Sequence, residues 1–377
     1  MIYSLEGLRG IAALIVALFH GHGWSSVFTT WPLVRNGWLF VDLFFVISGF
    51  VMSHVYRRHL NSRANVVSFL IKRFGRLYPL HIVMLFAFIA CEYALQIVKL
   101  AAAHAGHPIG SNSPTFDLIK PWSLLSNILL LHSMGLPGER AYNVPSWSIS
   151  TEVWAYVAFA LSVWLMGSGK GRRRVLLWIA LSLFGLSVCL SLRRPSIDIT
   201  TDFGWFRCIY GFFLGALLPP IRDRLSSAAG SRMVSLAQIA TLILSIACVW
   251  IADQTPSITF ALPIVFATLV LSLSFDSNLV AKWLHWSPVQ TLGRLSYSIY
   301  MVHYSLLVFM NPLGEKLHEP YRSMLRIVYV ALLLLAAHLT YRTIEVPWRE
   351  RFRLYAGRAK RWLSAAKQEP VTGVGDR

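Results

Sequence analysis

What most constrains this chain is a succession of apolar segments, each close to the length that crosses a bilayer. A helical span needs about 20 mostly apolar residues. Ten stretches qualify, at about 6–23, 38–56, 78–102, 145–166, 175–192, 203–219, 234–252, 257–275, 291–311 and 324–343. The sequence therefore predicts an all-α fold, a polytopic transmembrane helical bundle of about ten spans. Only 14% of the residues are charged, against about 25% in soluble domains. Residues 1–348 read as one membrane domain and 349–377 as a basic cytoplasmic tail, with Glu369 to Arg377 disordered. The first apolar segment lacks a small-residue cleavage site and reads as a retained helix, not a signal peptide. Cys91, Cys189, Cys208 and Cys248 each fall in or near apolar runs without C-x-x-C spacing. They read as small core side chains, and no metal site is expected.

The net charge of +18 sits in short connections and in the tail. That is the pattern of cytoplasmic loops, and it argues against a nucleic-acid partner. Arg57, Arg58, Arg63, Lys72, Arg73 and Arg76 separate the second and third segments. Lys170 and Arg172 to Arg174, then Arg222, Arg224 and Arg232, then Lys282 and the basic tail fall on the same side by alternation. The opposite connections hold only Arg35, Lys120, Arg140, Arg193, Arg194, Lys316 and Arg322. Both termini are therefore expected in the cytoplasm. The run Trp122 to Met134 is too brief to cross easily and reads as re-entrant or interfacial.

Charge within a bilayer costs at least about 2.5–3.5 kcal/mol on insertion scales, so such residues are functional candidates. The stretch "GLRGIAALIVALFHGHG" holds Arg9 at one end and His20 and His22 at the other. Arg9 and His20 are 11 residues apart, which is roughly 16 Å along a helix and three turns plus about 20° around it. They share a face, with Arg9 near the cytoplasmic surface and His20 deep. A snorkelling arginine and a hydrogen-bonded histidine would explain the pair structurally. A substrate with an anionic head and a reactive end would explain it functionally. Asp42, in "GWLFVDLFFVISGF", needs a cation or a histidine and could orient His20. Ser48 and Gly49 read as helix-packing residues. "VVSFLIKRFGRLYPLH" reads as an interfacial helix whose Lys72, Arg73 and Arg76 meet anionic lipid or a phosphate-bearing cytoplasmic ligand. Glu152, in "VPSWSISTEVWAY", is not explained by its aromatic neighbours. His303 lies inside the ninth segment, and Glu345 follows the tenth, where an arginine partner is expected.

These stretches resemble the acyltransferase-3 family of integral-membrane acyltransferases, over roughly residues 3 to 350. "LRGIAALIVALFH" resembles the family's opening helix, an Arg, ten residues and a His. "VDLFFVISGF", "RFGR", "WSISTEVWAY" and "YSIYMVH" resemble its later motifs and place Arg73, Arg76, Glu152 and His303. The resemblance implies transfer of an acyl group, usually acetyl, from acyl-coenzyme A to a hydroxyl of a surface or secreted carbohydrate. It also implies a multi-pass protein of the bacterial inner membrane. His20 would be the catalytic residue, and Arg73 and Arg76 would handle the donor from the cytoplasmic side. The chain departs from fused members in ending soon after the tenth segment, which leaves open whether it completes transfer to an external acceptor itself or works with an extracytoplasmic or polysaccharide-assembly partner.

The chemistry fits these residues. His20 would deprotonate the acceptor hydroxyl or carry the acyl group transiently. Arg9, Arg73 and Arg76 would bind the anionic donor, and Asp42 or Glu152 would orient the site or balance its charge. A transporter or flippase would also use intramembrane His, Asp and Glu, but no inverted repeat supports it. A non-enzymatic scaffold would leave Arg9 and His20 without a purpose.

Overall fold

The computed structural model describes residues 2–21, 30–107, 119–136, 141–167, 171–226 and 230–365. His22, Arg140, Lys170 and the stretch from Glu369 to Arg377 lie outside them. The described chain is helical, and no strand occurs among the described residues. In chain order the helices are α1 (Tyr3–His20), α2 (Phe40–Tyr56), α3 (Arg63–His104), the short α4 (Pro121–Ile128) and α5 (Ser146–Met166). Then come α6 (Gly171–Ser191), α7 (Gly204–Ala216), α8 (Leu218–Leu225), α9 (Ser231–Trp250), α10 (Leu262–Leu273) and α11 (Asn278–Leu284). The last are α12 (Ser287–Lys316), α13 (Tyr321–Thr340) and α14 (Val346–Ala365), with a π-helical turn, Tyr341–Glu345, between α13 and α14.

Each of the ten apolar segments falls on a helix. Among the described residues eight helices are long and apolar enough to cross a membrane, and α10 with α11, bent by 94°, would make a ninth. The chain is thus a multi-pass membrane protein. α12 is long enough but carries Ser296, Tyr297, Ser298, Tyr300, His303 and Tyr304. It is the helix around which the polar interior is built.

One division differs from the sequence reading. The expected interfacial helix and the third segment are one helix, α3, of 42 residues. Ser62 caps it, its side chain accepting from the Asn65 N–H at 3.2 Å. Nothing between Arg63 and His104 interrupts it, and Pro79 is accommodated inside. The basic stretch after residue 348 continues as α14, packed along the first half of α3. Gly75 lies against Phe352, where an added Cβ would clash, so that face of α3 meets α14.

Small residues bring the central helices together. An added Cβ on Gly10 of α1 would strike the backbone at Gly293 of α12, and one on Gly293 would strike Glu6. Gly49 of α2 meets the Phe212 carbonyl of α7 in the same way. The N-terminus of α1 is fixed by Asp276, which accepts from the N–H groups of Tyr3 at 3.1 Å and Ser4 at 2.8 Å. Ile2 at one end of the described chain and Arg349 near the other line one cavity, so both lie at the same end of the bundle. All four cysteines are free thiols, three of them buried.

Candidate active site

Because α1 and α12 run together from Gly10 and Gly293, their later turns also meet. There His303 Nε2 lies 3.2 Å from His20 Nδ1. His20 Nδ1 is also 3.0 Å from the Val16 carbonyl, and His303 Nδ1 is 3.3 Å from the Ile299 carbonyl. Carbonyls only accept, so each ring carries its proton on Nδ1. His303 Nε2 is then the acceptor for the His20 N–H, and His20 Nε2 is a lone-pair nitrogen. His303 is fully buried. Tyr304 and Tyr300 pack around the pair, Tyr304 edge-on to His20 at 5.6 Å and Tyr300 edge-on to His303 at 5.8 Å.

At the other end of α1, Arg9 lines a cavity of about 640 Å³. Its walls come from the starts of α1 and α12, the end of α2, and the π-helical turn. Arg9, Arg76, Arg294 and Arg349 line it against Glu6 and Glu345. Cations therefore exceed carboxylates, and the cavity suits an anion. Glu345 is buried and accepts from Ser298 Oγ at 3.0 Å. It lines the cavity wall, and no arginine stands within ion-pair distance of it among the described residues. Such π-helical insertions often occur at functional positions.

Between this cavity and the imidazole pair lie two constrictions of about 30 Å³ each. Arg9, Ser48, Glu152 and Tyr297 line both. Arg76 and Tyr156 extend one toward the main cavity. Ser148 and Tyr300 extend the other toward His303. Glu152 accepts from the hydroxyls of Ser48 and Tyr156, and the Ser48 and Tyr156 hydroxyls are 3.2 Å apart. Tyr300 OH is 2.8 Å from Ser148 Oγ. A polar track thus runs from Arg9 past Glu152 and Ser148 to Tyr300, whose ring packs edge-on against His303.

The structure brings Arg9, Arg76 and Glu152 together, and His20 with His303. It does not bring Asp42 to His20. Asp42 is fully buried and faces Arg207 of α7, accepting from Nε at 2.9 Å and Nη2 at 2.7 Å. The Arg207 guanidinium also lies over Trp38 at 5.1 Å and Trp147 at 5.2 Å. Arg73 separates from Arg76: it donates to Tyr56 OH at 3.0 Å and covers Tyr56 and Phe69. Lys72 lines a different cavity from Arg76. Arg207 escaped the sequence reading although an arginine in "FGWFRCIYGFF" is itself a signal. Ser48 was read as a packing residue; Gly49 packs, and Ser48 bonds Glu152.

The profile described as an acyltransferase domain matches residues 2–341. OatA of Listeria monocytogenes, named a peptidoglycan O-acetyltransferase, is 25% identical over 370 residues, covering 92% of this chain and 56% of that protein. OatA of Staphylococcus aureus, named an O-acetyltransferase, is 24% identical over 375 residues, covering 94% and 58%. YrhL of Bacillus subtilis is 26% identical over 389 residues, covering 96% and 58%. The chain spans a little over half the length of these relatives. No solved structure matches it.

Proposed function

The chain belongs to the acyltransferase-3 family, and from that premise we propose that it moves an acetyl group from an acetyl-CoA-type thioester to a carbohydrate hydroxyl. The names of the relatives support a peptidoglycan-type acceptor and a bacterial cell membrane. The observation that carries the reading is the arrangement on α1. One helix holds a cation in a basic cavity at one end and a lone-pair imidazole nitrogen at the other.

In this reading Arg9 and Arg76 hold the anionic part of the donor in the main cavity, with Arg349 and Arg294 at its mouth. The pantetheine arm then runs along α1, roughly 16 Å for 11 residues, toward His20. The constrictions beside Glu152 widen to admit it, so Glu152, Ser48, Tyr156 and Tyr297 form the throat rather than the base. His20 Nε2 takes the proton from the acceptor hydroxyl as its oxygen attacks the thioester carbonyl. The carbon–sulfur bond breaks, and the proton passes from His20 to the leaving sulfur. His303, accepting from the His20 N–H, fixes the tautomer and helps spread the positive charge, as an orienting partner does in hydrolytic triads. Asp42 and Arg207 hold α2 against α7 and take no part in proton transfer. Arg73 acts outside the main cavity.

Mass spectrometry of surface glycans from cells with and without the gene tests this reading. A loss of one acetyl mass per modified sugar supports it. Unchanged glycans with altered export of an unmodified glycan would favour the flippase reading, which draws on the same polar track.

A further inference from the structure

We propose that a second cavity at the same end of the bundle, between the α2–α3 turn and α14, binds a phosphate ester through Lys72 and Lys360 over an aromatic floor of Tyr56 and Phe69. The cavity holds about 270 Å³. That is room for one phosphorylated head, and less than a drug-sized ligand needs. It is lined by Lys72 from α3, Lys360 from α14 and His59 from the intervening turn, and by no carboxylate. Neither lysine makes an ion pair among the described residues. Three separate segments thus point basic groups into one hollow with no carboxylate among its described lining residues.

The floor adds a further cation. Tyr56 and Phe69 pack edge-on at 4.8 Å, and the Arg73 guanidinium stands 5.3 Å from the Tyr56 ring centroid and 5.8 Å from that of Phe69. The two arginines of the R-x-x-R spacing therefore stand beside different cavities. Arg76 lines the large one, and Arg73 packs on the Tyr56 and Phe69 rings that line the small one. Val55 of α2 lines both, so they adjoin across the end of one helix.

A phosphate ester could come from two sources here: the nucleotide end of a soluble donor, or the headgroup of an anionic lipid. Beside the cavity α14 exposes Leu354, Tyr355 and Trp362 among Arg358, Lys360 and Arg361, a composition that suits a membrane surface. Full-length protein in phosphatidylcholine nanodiscs is titrated calorimetrically with adenosine 3′,5′-bisphosphate. In a parallel arm, melting is compared with and without phosphatidylglycerol. The K72Q/K360Q variant changes two side chains that reach solvent. It should weaken bisphosphate binding by at least about tenfold if the donor is the source, since both charge-assisted hydrogen bonds to the phosphate are lost. It should abolish the stabilisation by phosphatidylglycerol if lipid is the source. Asn65→Asp, which places a carboxylate in the same lining, should act in the same direction without removing either lysine. If both arms are unchanged in both variants, the proposal is wrong. That result would leave the His20 chemistry standing, because none of these residues lines the main cavity or touches the imidazoles.

Discussion

Asp42 and Arg207 are 165 positions apart in sequence, yet their side chains satisfy each other in a fully buried pair. Breaking such a pair strands a charge and costs about 3–5 kcal/mol, whereas replacing both members with apolar residues is often neutral. Asp42→Asn should therefore lower the melting temperature of the purified protein sharply, and Asp42→Leu combined with Arg207→Met should restore most of it. A double variant that melts normally and still transfers acyl groups would assign the pair to structure, and one that melts normally but is inactive would return Asp42 to the chemistry. His303 makes the opposite case. His303→Phe keeps the volume but removes the acceptor for the His20 N–H. Turnover should fall about 100-fold, the scale of a general base losing its set-up, while the KM for the donor and the melting temperature change little. A matching rise in KM would instead place His303 against the donor.

At the scale of helices, the meeting of His20 and His303 depends on a crossing many residues away. Gly10 and Gly293 let α1 and α12 touch backbone to backbone. Gly293→Val should force them apart at a cost of about 1–3 kcal/mol, as overpacking does, and should remove activity even in the folded fraction. Circular dichroism and turnover on the same sample separate the two effects. The start of α1 makes a pH prediction. Asp276 receives the N–H groups of Tyr3 and Ser4 and lies 2.8 Å from His285 Nε2. Burial pushes its carboxyl up, but the hydrogen bonds from Ser4, His285 and Tyr3 outweigh burial and hold it below the usual carboxylate range. Its stabilisation is complete above the unfolded value of about 3.9 and is lost as pH falls through the lowered folded value. Asp276→Asn should cost about 1 kcal/mol or less at neutral pH, because solvent screens part of the contact. It should also flatten the acid limb of the melting profile. An acid limb as steep as the wild type's would show that Asp276 does not govern it.

At the scale of the whole molecule, the bundle was legible because each apolar segment declares its helix through length and composition alone. Arg9 and His20 were legible as one face because helical spacing is local. What stayed hidden is non-local. Neither the pairing of Asp42 with Arg207 nor that of His20 with His303 follows from any spacing within one segment. The fusion of residues 63 to 104 into one helix was missed because the charges around Arg73 suggested a boundary that the backbone does not need. That the basic stretch continues as the helix α14 against α3 was not legible, because the Phe352 contact with Gly75 joins residues far apart in sequence. In the proposed reading the molecule is a polar shaft, wide and basic at one end, narrow at Glu152, and closed by two imidazoles. The central claim is that the shaft delivers a thioester to His20, and the most direct measurement is acyl transfer by the purified protein in proteoliposomes. Radiolabelled acetyl-CoA is supplied on one side and a soluble glycan acceptor on the other. The wild type should label the acceptor, and His20→Ala, with unchanged melting and unchanged donor affinity, should lose at least about 100-fold in turnover. Labelling by His20→Ala at the wild-type rate would contradict the account.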